Sequence, residues 1–394
     1  MVFESFAPAQ SFFLWATFGI ALVMGALVNK TNFCTMGAVS DWVNMGDTGR
    51  LRAWLFAIAV AMLGVTILET SGLVKLAATF PPYRANQLVW AENLLGGLMF
   101  GIGMTLASGC GNKALIRIGG GNLKSIMVFA IIAIIAYYMI NPFPGSDKTL
   151  FTVLFYDWIR PLAVTLQTNQ DLGAIVAGSG NAATPRLAIG SLLALALIGL
   201  AFMSADFRNN SDNILGGLVV GLAVLAAWYV TSNVMVSADG QSFSLQNFVA
   251  EQWDMYAAPT ELKPADSRPL SAQSFTFINP MGQTFGYAMA GFKLTALTFG
   301  VMSVAGIILG SLLWSLISRS FRIEWFASVK DFFNHFVGAI LMGFGGVLGM
   351  GCTIGQGVTG VSTLAVGSII TLLAIIAGCA STMKYQYWRM MQEA

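Results

Sequence analysis

Three of the four cysteines in this chain sit in one repeated frame. Met24-Gly25 is followed, nine residues after the glycine, by Cys34-Thr35-Met36-Gly37. Met342-Gly343 is followed at the same nine-residue interval by Cys352-Thr353-Ile354-Gly355. Gly101 precedes Cys110 by the same nine residues, inside Ser108-Gly109-Cys110-Gly111-Asn112-Lys113. A thiol is a small, uncharged, polarizable donor. In an apolar passage it avoids the roughly 2.5–3.5 kcal/mol that a charged side chain costs at the bilayer centre. Away from cations a buried thiol keeps its proton, and a thiolate would repel a dianion. The S–H group therefore offers weak hydrogen bonds to a soft sulfur atom, and weak bonds suit a path that must release its ligand. Cys379 lies in an apolar run without the frame and reads as structural.

The residues around these thiols serve the same chemistry. Gly109 and Gly111 beside Cys110, and Gly349, Gly351, Gly355 and Gly357 around Cys352, are too dense for regular helix. Irregular backbone at membrane depth is tolerated only where it is buried or lines a cavity, and its free N–H groups can face an anion. Gln356 is a further hydrogen-bond donor. Lys30 and Asn32 before Cys34, and Asn112, Lys113 and Arg117 after Cys110, either draw anions to a mouth or snorkel as positive anchors.

The elements that must position these groups are membrane spans. The 394 residues are 56% hydrophobic and only 10% charged, against roughly 25% charged residues in a soluble domain. Nine apolar runs, at about 12–29, 55–78, 94–109, 124–140, 186–203, 214–230, 291–317, 334–350 and 361–381, are long enough to cross a hydrocarbon core of about 30 Å. Their apolar character is continuous, not alternating, so they read as helices. The first run follows Glu4 with no basic n-region and ends in Asn29-Lys30, which does not describe a cleaved signal peptide. Stretches 141–185 and 231–290 read as extramembrane insertions in one transport domain spanning 1–394.

A fourth glycine cluster, Gly216-Gly217-Leu218-Val219-Val220-Gly221, mirrors Gly96-Gly97-Leu98-Met99-Phe100-Gly101 and puts Val230 where the others have cysteine. This suggests two repeats, about 12–140 and 214–381, joined by a linker helix near 186–203. The extra crossing inverts the second repeat, the arrangement in which sites lie at the repeat interface near the midplane. Basic residues near the span ends segregate so that the N-terminus lies outside and the C-terminus in the cytoplasm. Glu69 is the one carboxylate well inside a span and reads as a helix–helix contact. A net charge of +2 without a basic cluster excludes nucleic acid as partner. One histidine, His335, excludes a histidine-rich metal site, and no Walker loop or carboxylate relay is present. No cofactor is expected.

Asn32-Phe33-Cys34-Thr35-Met36-Gly37, Ala107-Ser108-Gly109-Cys110-Gly111 and Gly349-Met350-Gly351-Cys352-Thr353-Ile354-Gly355-Gln356-Gly357 resemble the YeeE/YedE family, also known by its sulfur-transport domain. The resemblance covers most of spans one to four and seven to nine. It implies an hourglass-like all-α bundle in a bacterial inner membrane that takes up thiosulfate. It further implies that Cys34, Cys110 and Cys352 pass the ion along by S–H···S hydrogen bonds. Some members sit beside a small TusA-like sulfur carrier, which the resemblance suggests as a cytoplasmic partner. Family branches are linked to selenium compounds or other sulfur species, and the two long stretches depart from the compact members. A membrane thiol-redox protein would need cysteines able to pair, and placement on separate repeats approached from opposite faces argues against it.

The topology has a direct test. Reporter fusions after Ser204 and after Met235 should land on opposite sides of the membrane; finding both in the cytoplasm would overturn the inverted-repeat expectation.

Overall fold

In a continuous apolar run the backbone must bond to itself, and each such run in this chain forms a helix in the computed structural model, which describes residues 1–259 and 261–393. The principal helices are α1 (Phe6–Thr31), α2 (Thr35–Ser40), α3 (Gly49–Thr70), α4 (Trp90–Leu106), α5 (Gly111–Gly119) and α6 (Leu123–Ile140), then α7 (Ala183–Phe202), α8 (Ser211–Asn233), α9 (Ile278–Met289), α10 (Phe299–Ile317), α11 (Val329–Leu348) and α12 (Val366–Glu393). Among the described residues, nine helical stretches are long and apolar enough to cross a membrane. Two of them, α1–α2 and α4–α5, are interrupted at a cysteine. The chain is a multi-pass membrane protein.

Helices in lipid gain no hydrophobic drive from one another, so close approach by small residues does the work. The glycine nine residues before each framed cysteine is such a contact. A Cβ on Gly25 would stand 2.4 Å from the Ile307 carbonyl oxygen of α10, and one on Gly101 2.2 Å from that of Ile375 in α12. On Gly343 it would stand 2.9 Å from Ile135 of α6. Helix α4 packs on both α11 and α12, α11 packs on α4 and α6, α1 on α10 and α8, and α3 on α8. Among the spans helix α7 leans chiefly on α3, with Gly190 against Thr66, and leaves Leu192, Leu195 and Leu200 exposed as a lipid face requires.

The two ends of the bundle are tied differently. At the Met1 end, β1 (Val2–Phe3) runs parallel to β4 (Met235–Ala238), which turns through Asp239-Gly240, both left-handed, into antiparallel β5 (Gln241–Ser244). This Asp-Gly pair is the turn chemistry a two-residue hairpin needs. At the same end β2 (Gln87–Leu88) pairs with β3 (Val164–Thr165). At the opposite end Asn122 bonds Glu324 at 2.6 Å and Lys124 pairs with Asp331 at 2.9 Å.

Residues 141–182 dock on the Met1 end through an ion cluster. Arg186 holds Asp171 with two 2.8 Å bonds, and Arg84 reaches Glu69 at 2.5 and 2.9 Å. Burial pushes the Asp171 carboxyl up, but the Arg186 hydrogen bonds, the Arg84 charge and the Ala174 N–H outweigh it and hold the group below the usual carboxylate range. Glu69, read from sequence as a helix contact, is bound to this cluster.

Residues 231–290 divide in two. The first part forms the hairpin and short turns, whereas residues 275–281 run into the core because Phe275, Phe277, Ile278 and Met281 are fully buried apolar groups. Helix α9 then packs on α6, with Gly282 against Ala136 and Tyr137. The expected span at 291–317 begins only at Phe299, because Gly291 and Phe292 both turn left-handed.

Gly101→Val should prise α4 from α12, since backbone cannot yield as a side chain can. A loss of at least about 1–3 kcal/mol would appear as a lower thermal midpoint of the detergent-purified protein. Gly199→Ala, where a Cβ meets nothing within 4 Å, should leave the midpoint unchanged.

Candidate functional site

The three framed cysteines are built by the same local backbone. Helices α1, α4 and α11 each run into a non-glycine residue in the left-handed region: Asn32 (φ 50°), Ser108 (φ 57°) and Met350 (φ 55°). One residue follows, Phe33, Gly109 or Gly351, and then the cysteine. The ends of α4 and α11 are closed by matching bonds, Gly109 N–H to the Met104 carbonyl and Gly351 N–H to the Gly346 carbonyl, both 2.8 Å. Each cysteine then opens a new helical turn. The carbonyls of Cys34, Cys110 and Cys352 accept from Ala38, Ala114 and Gln356 N–H at 3.0, 2.9 and 2.8 Å. The Cys34 thiol sulfur accepts from Gly37 N–H at 3.5 Å, and that of Cys352 from Gly355 N–H at 3.4 Å. The Cys110 side chain makes no cap hydrogen bond that meets the same geometry.

Non-helical backbone is thus confined to residues 32–34, 107–110 and 349–352. The glycine-rich run after Cys352 does not stay open. It is helical, with a widened π-turn over Gly355–Gly360 that Gly357 allows by lying against the Trp54 ring. Gly111, Asn112 and Lys113 form the first turn of α5.

The segments meet inside the bundle. A Cβ on Gly111 would stand 3.0 Å from Ile278 Cδ1, and one on Gly346 2.6 Å from Ile278 Cγ1, so one side chain touches both cysteine-bearing arms. The Cys110 thiol faces Cys34, Cys352 and the Thr353 hydroxyl. The Cys352 thiol faces the Phe277 backbone and the Thr276 hydroxyl. Cys34, Cys110 and Cys352 are 9%, 3% and 0% exposed, so the thiols are shut off from both surfaces in this conformation. All four cysteines are free thiols.

Several polar groups at this centre are left without protein partners. Tyr83 Oη, Asn112 Oδ1 and Gln356 Oε1 are buried without a hydrogen-bond partner, while the Thr353 and Thr276 hydroxyls have only the Cys110 and Cys352 thiols beside them. Leaving one such group unmade costs about 1–3 kcal/mol, so the surroundings of the thiols are polar as well as buried. Gln356, expected as a donor, uses its amide N–H on the Gly349 carbonyl at 2.6 Å and so braces the break before Cys352. Lys113 faces the Cys34 and Cys110 thiols and bonds Asn32 Oδ1 at 2.5 Å, joining α5 to the Cys34 loop. Gly109 lies under the Lys113 side chain, and Gly351 lies against Gln356 and Thr276.

Other residues fall elsewhere. Cys379 accepts a 3.2 Å hydrogen bond from Thr105 at the α4–α12 contact. Val230 lies inside continuous α8. Phe277 is the residue that precedes α9. Thr353 was legible as part of the Cys-Thr pair in the frame, but Tyr83 and Thr276 carry no local signal and reach the site only through folding.

The left-handed residue before each cysteine is a point of backbone strain. Ser108→Gly should keep or raise the thermal midpoint, whereas β-branched Ser108→Val should lower stability by about 1–3 kcal/mol. Equal midpoints for the two variants would show that the turn is not held left-handed.

The chain matches a protein-family model described as sulphur transport over residues 30–381. It is 24% identical over 366 residues to the thiosulfate transporter TsuA of Escherichia coli K12, covering 90% of each chain. It is 21% identical over 377 residues to the thiosulfate transporter TsuA of Spirochaeta thermophila, covering 93% of this chain and 96% of that one.

Proposed function

Because this chain belongs to the sulphur transport family, we propose that it carries thiosulfate, or a closely related inorganic sulfur anion, into the cell across the bacterial inner membrane. The observation that carries the reading is the convergence of three protonatable thiols, each in the same left-handed-residue, spacer, cysteine frame, at a buried centre with unpaired polar groups. The names of the two relatives supply the substrate. A path of neutral donors suits a dianion that must enter and leave: weak bonds hold it without trapping it. In this reading the ion passes among Cys352, Cys110 and Cys34, contacting S–H groups with its terminal sulfur. Asn112 and Gln356 lie around it, and Gly109, Gly111 and Gly351 keep its way clear of side chains. Lys113 lies beside the Cys34 end of the path, tied to Asn32.

The Met1 end is the outer face, with the C-terminus in the cytoplasm, following the segregation of basic residues. Two inverted halves are supported by reciprocal packing, α4 on α12 and α11 on α6 about the shared α4–α11 contact. A small TusA-like sulfur carrier is the proposed receiver at the cytoplasmic end.

Uptake of radiolabelled thiosulfate, and growth on it as sole sulfur source in a strain without another route, test the proposal. Cys110→Ala or Cys352→Ala should abolish uptake, Cys34→Ala should impair it, and Cys379→Ala should change little. Each thiol bond is worth only about 1 kcal/mol, so the loss reflects a missing step more than lost affinity. Wild-type uptake after removal of Cys110 and Cys352 together would end the cysteine reading.

A further inference from the structure

We propose that a cavity at the Met1 end is an oxyanion-capture site, in which the Arg160 guanidinium of the 141–182 insertion holds the oxygens of the incoming anion. This rests on the transport reading above. The cavity measures about 300 Å³ and is walled by three parts of the chain. The loop between α3 and α4 gives Pro82, the insertion gives Phe151, Arg160 and Gln170, and the spans give Glu92 and Met350. Met350 is the left-handed residue two positions before Cys352, so one wall is the break that carries that thiol. The loop folds inward on a 3.0 Å bond from Phe80 N–H to the Ala272 carbonyl. The insertion is seated by Trp90 Nε1, which donates to the Leu162 carbonyl at 2.8 Å, and by the pairing of β2 with β3. Arg160 is therefore held between two anchors.

Its surroundings fix the charge but leave its donors free. The Phe151 and Tyr156 rings lie 5.5 and 5.9 Å from the guanidinium carbon and steady it through their faces. Glu92, 5% exposed, is its acidic neighbour, with Oε1 3.4 Å from Arg160 Nε. That contact is off hydrogen-bond geometry, because Oε1 is buried and accepts no hydrogen bond. The Arg186–Asp171 pair differs, being closed by two 2.8 Å bonds. Among the described residues the Arg160 Nη groups donate no hydrogen bond. Gln170 spends its amide oxygen on Gly367 N–H at 3.1 Å, which leaves its NH₂ group as a further donor at the same wall.

A planar guanidinium fork with free N–H groups matches two oxygens of a tetrahedral oxyanion. Thiosulfate presents such oxygens beside its one soft sulfur, and sulfate presents them without it. Glu92 balances Arg160 when the cavity is empty, and it competes with a bound anion for the same cation. A loose pair gives up little when the anion arrives, and it helps the anion leave.

The two members of the pair should therefore act with opposite sign. In thiosulfate uptake by membrane vesicles, Arg160→Gln should raise KM about tenfold with Vmax within about twofold. Glu92→Gln removes the competing charge and keeps the shape, so KM should fall about threefold. Sulfate binding to the detergent-purified protein should weaken and tighten in the same two variants. The amount of inserted protein should match wild type in both. An unchanged KM in Arg160→Gln overturns the capture role. A rise of KM in both variants, or loss of inserted protein in both, overturns it too, because a structural pair fails the same way from either side. Wild-type vesicles that take up no thiosulfate, while sulfate still binds in an Arg160-dependent way, would overturn the transport reading and leave the oxyanion site standing.

Discussion

A helix that breaks inside a bilayer must still satisfy the backbone groups it releases, because lipid supplies no partner and each unmade bond costs several kcal/mol. This constraint governs the structure. Every framed cysteine stands at such a break, and each break is only three or four residues wide. The released carbonyls of α4 and α11 are recovered by bonds from Gly109 and Gly351, at the expense of a strained serine or methionine. The next helix starts at once, its first turn collecting the cysteine carbonyl. The thiols therefore sit where the chain presents backbone and side chain together while recovering most of the backbone bonds that the break releases.

Close packing of small residues makes those breaks affordable. Gly25 and Gly101 bring neighbouring helices to backbone contact, and Gly343 seats the Ile135 side chain, one helical stretch before each cysteine. Rigid crossings there fix where the following left-handed turn emerges. Gly103 and Gly338 do the same for the α4–α11 pair, which carries Cys110 and Cys352 on its two ends. Replacing any of these contacts by a side chain would move a thiol, not merely loosen a helix.

The Met1 end adds a second layer of control through charge. Arg84, Glu69, Asp171 and Arg186 are drawn from four separate stretches of chain and compensate one another out of water. Such a cluster contributes little net stability compared with an apolar equivalent, but it tolerates one arrangement only. That property suits a cap that holds an inward loop and a docked insertion in fixed register.

The membrane class, nine candidate spans and the shared frame of three cysteines were legible in sequence, because hydropathy reads as span length and a repeated Gly-to-Cys interval reads as a repeated turn. The left-handed residue ahead of each cysteine was not, since serine, asparagine and methionine announce no such φ in the way glycine does. Folding alone decided that Phe277 lies against Cys352, that Ile278 bridges the two arms, and that Tyr83 turns inward from an outer loop. Glycine intervals act along one helix and survive in the linear order. The polar surroundings of a thiol are assembled from segments hundreds of residues apart, and only the packing of helices against one another brings them together.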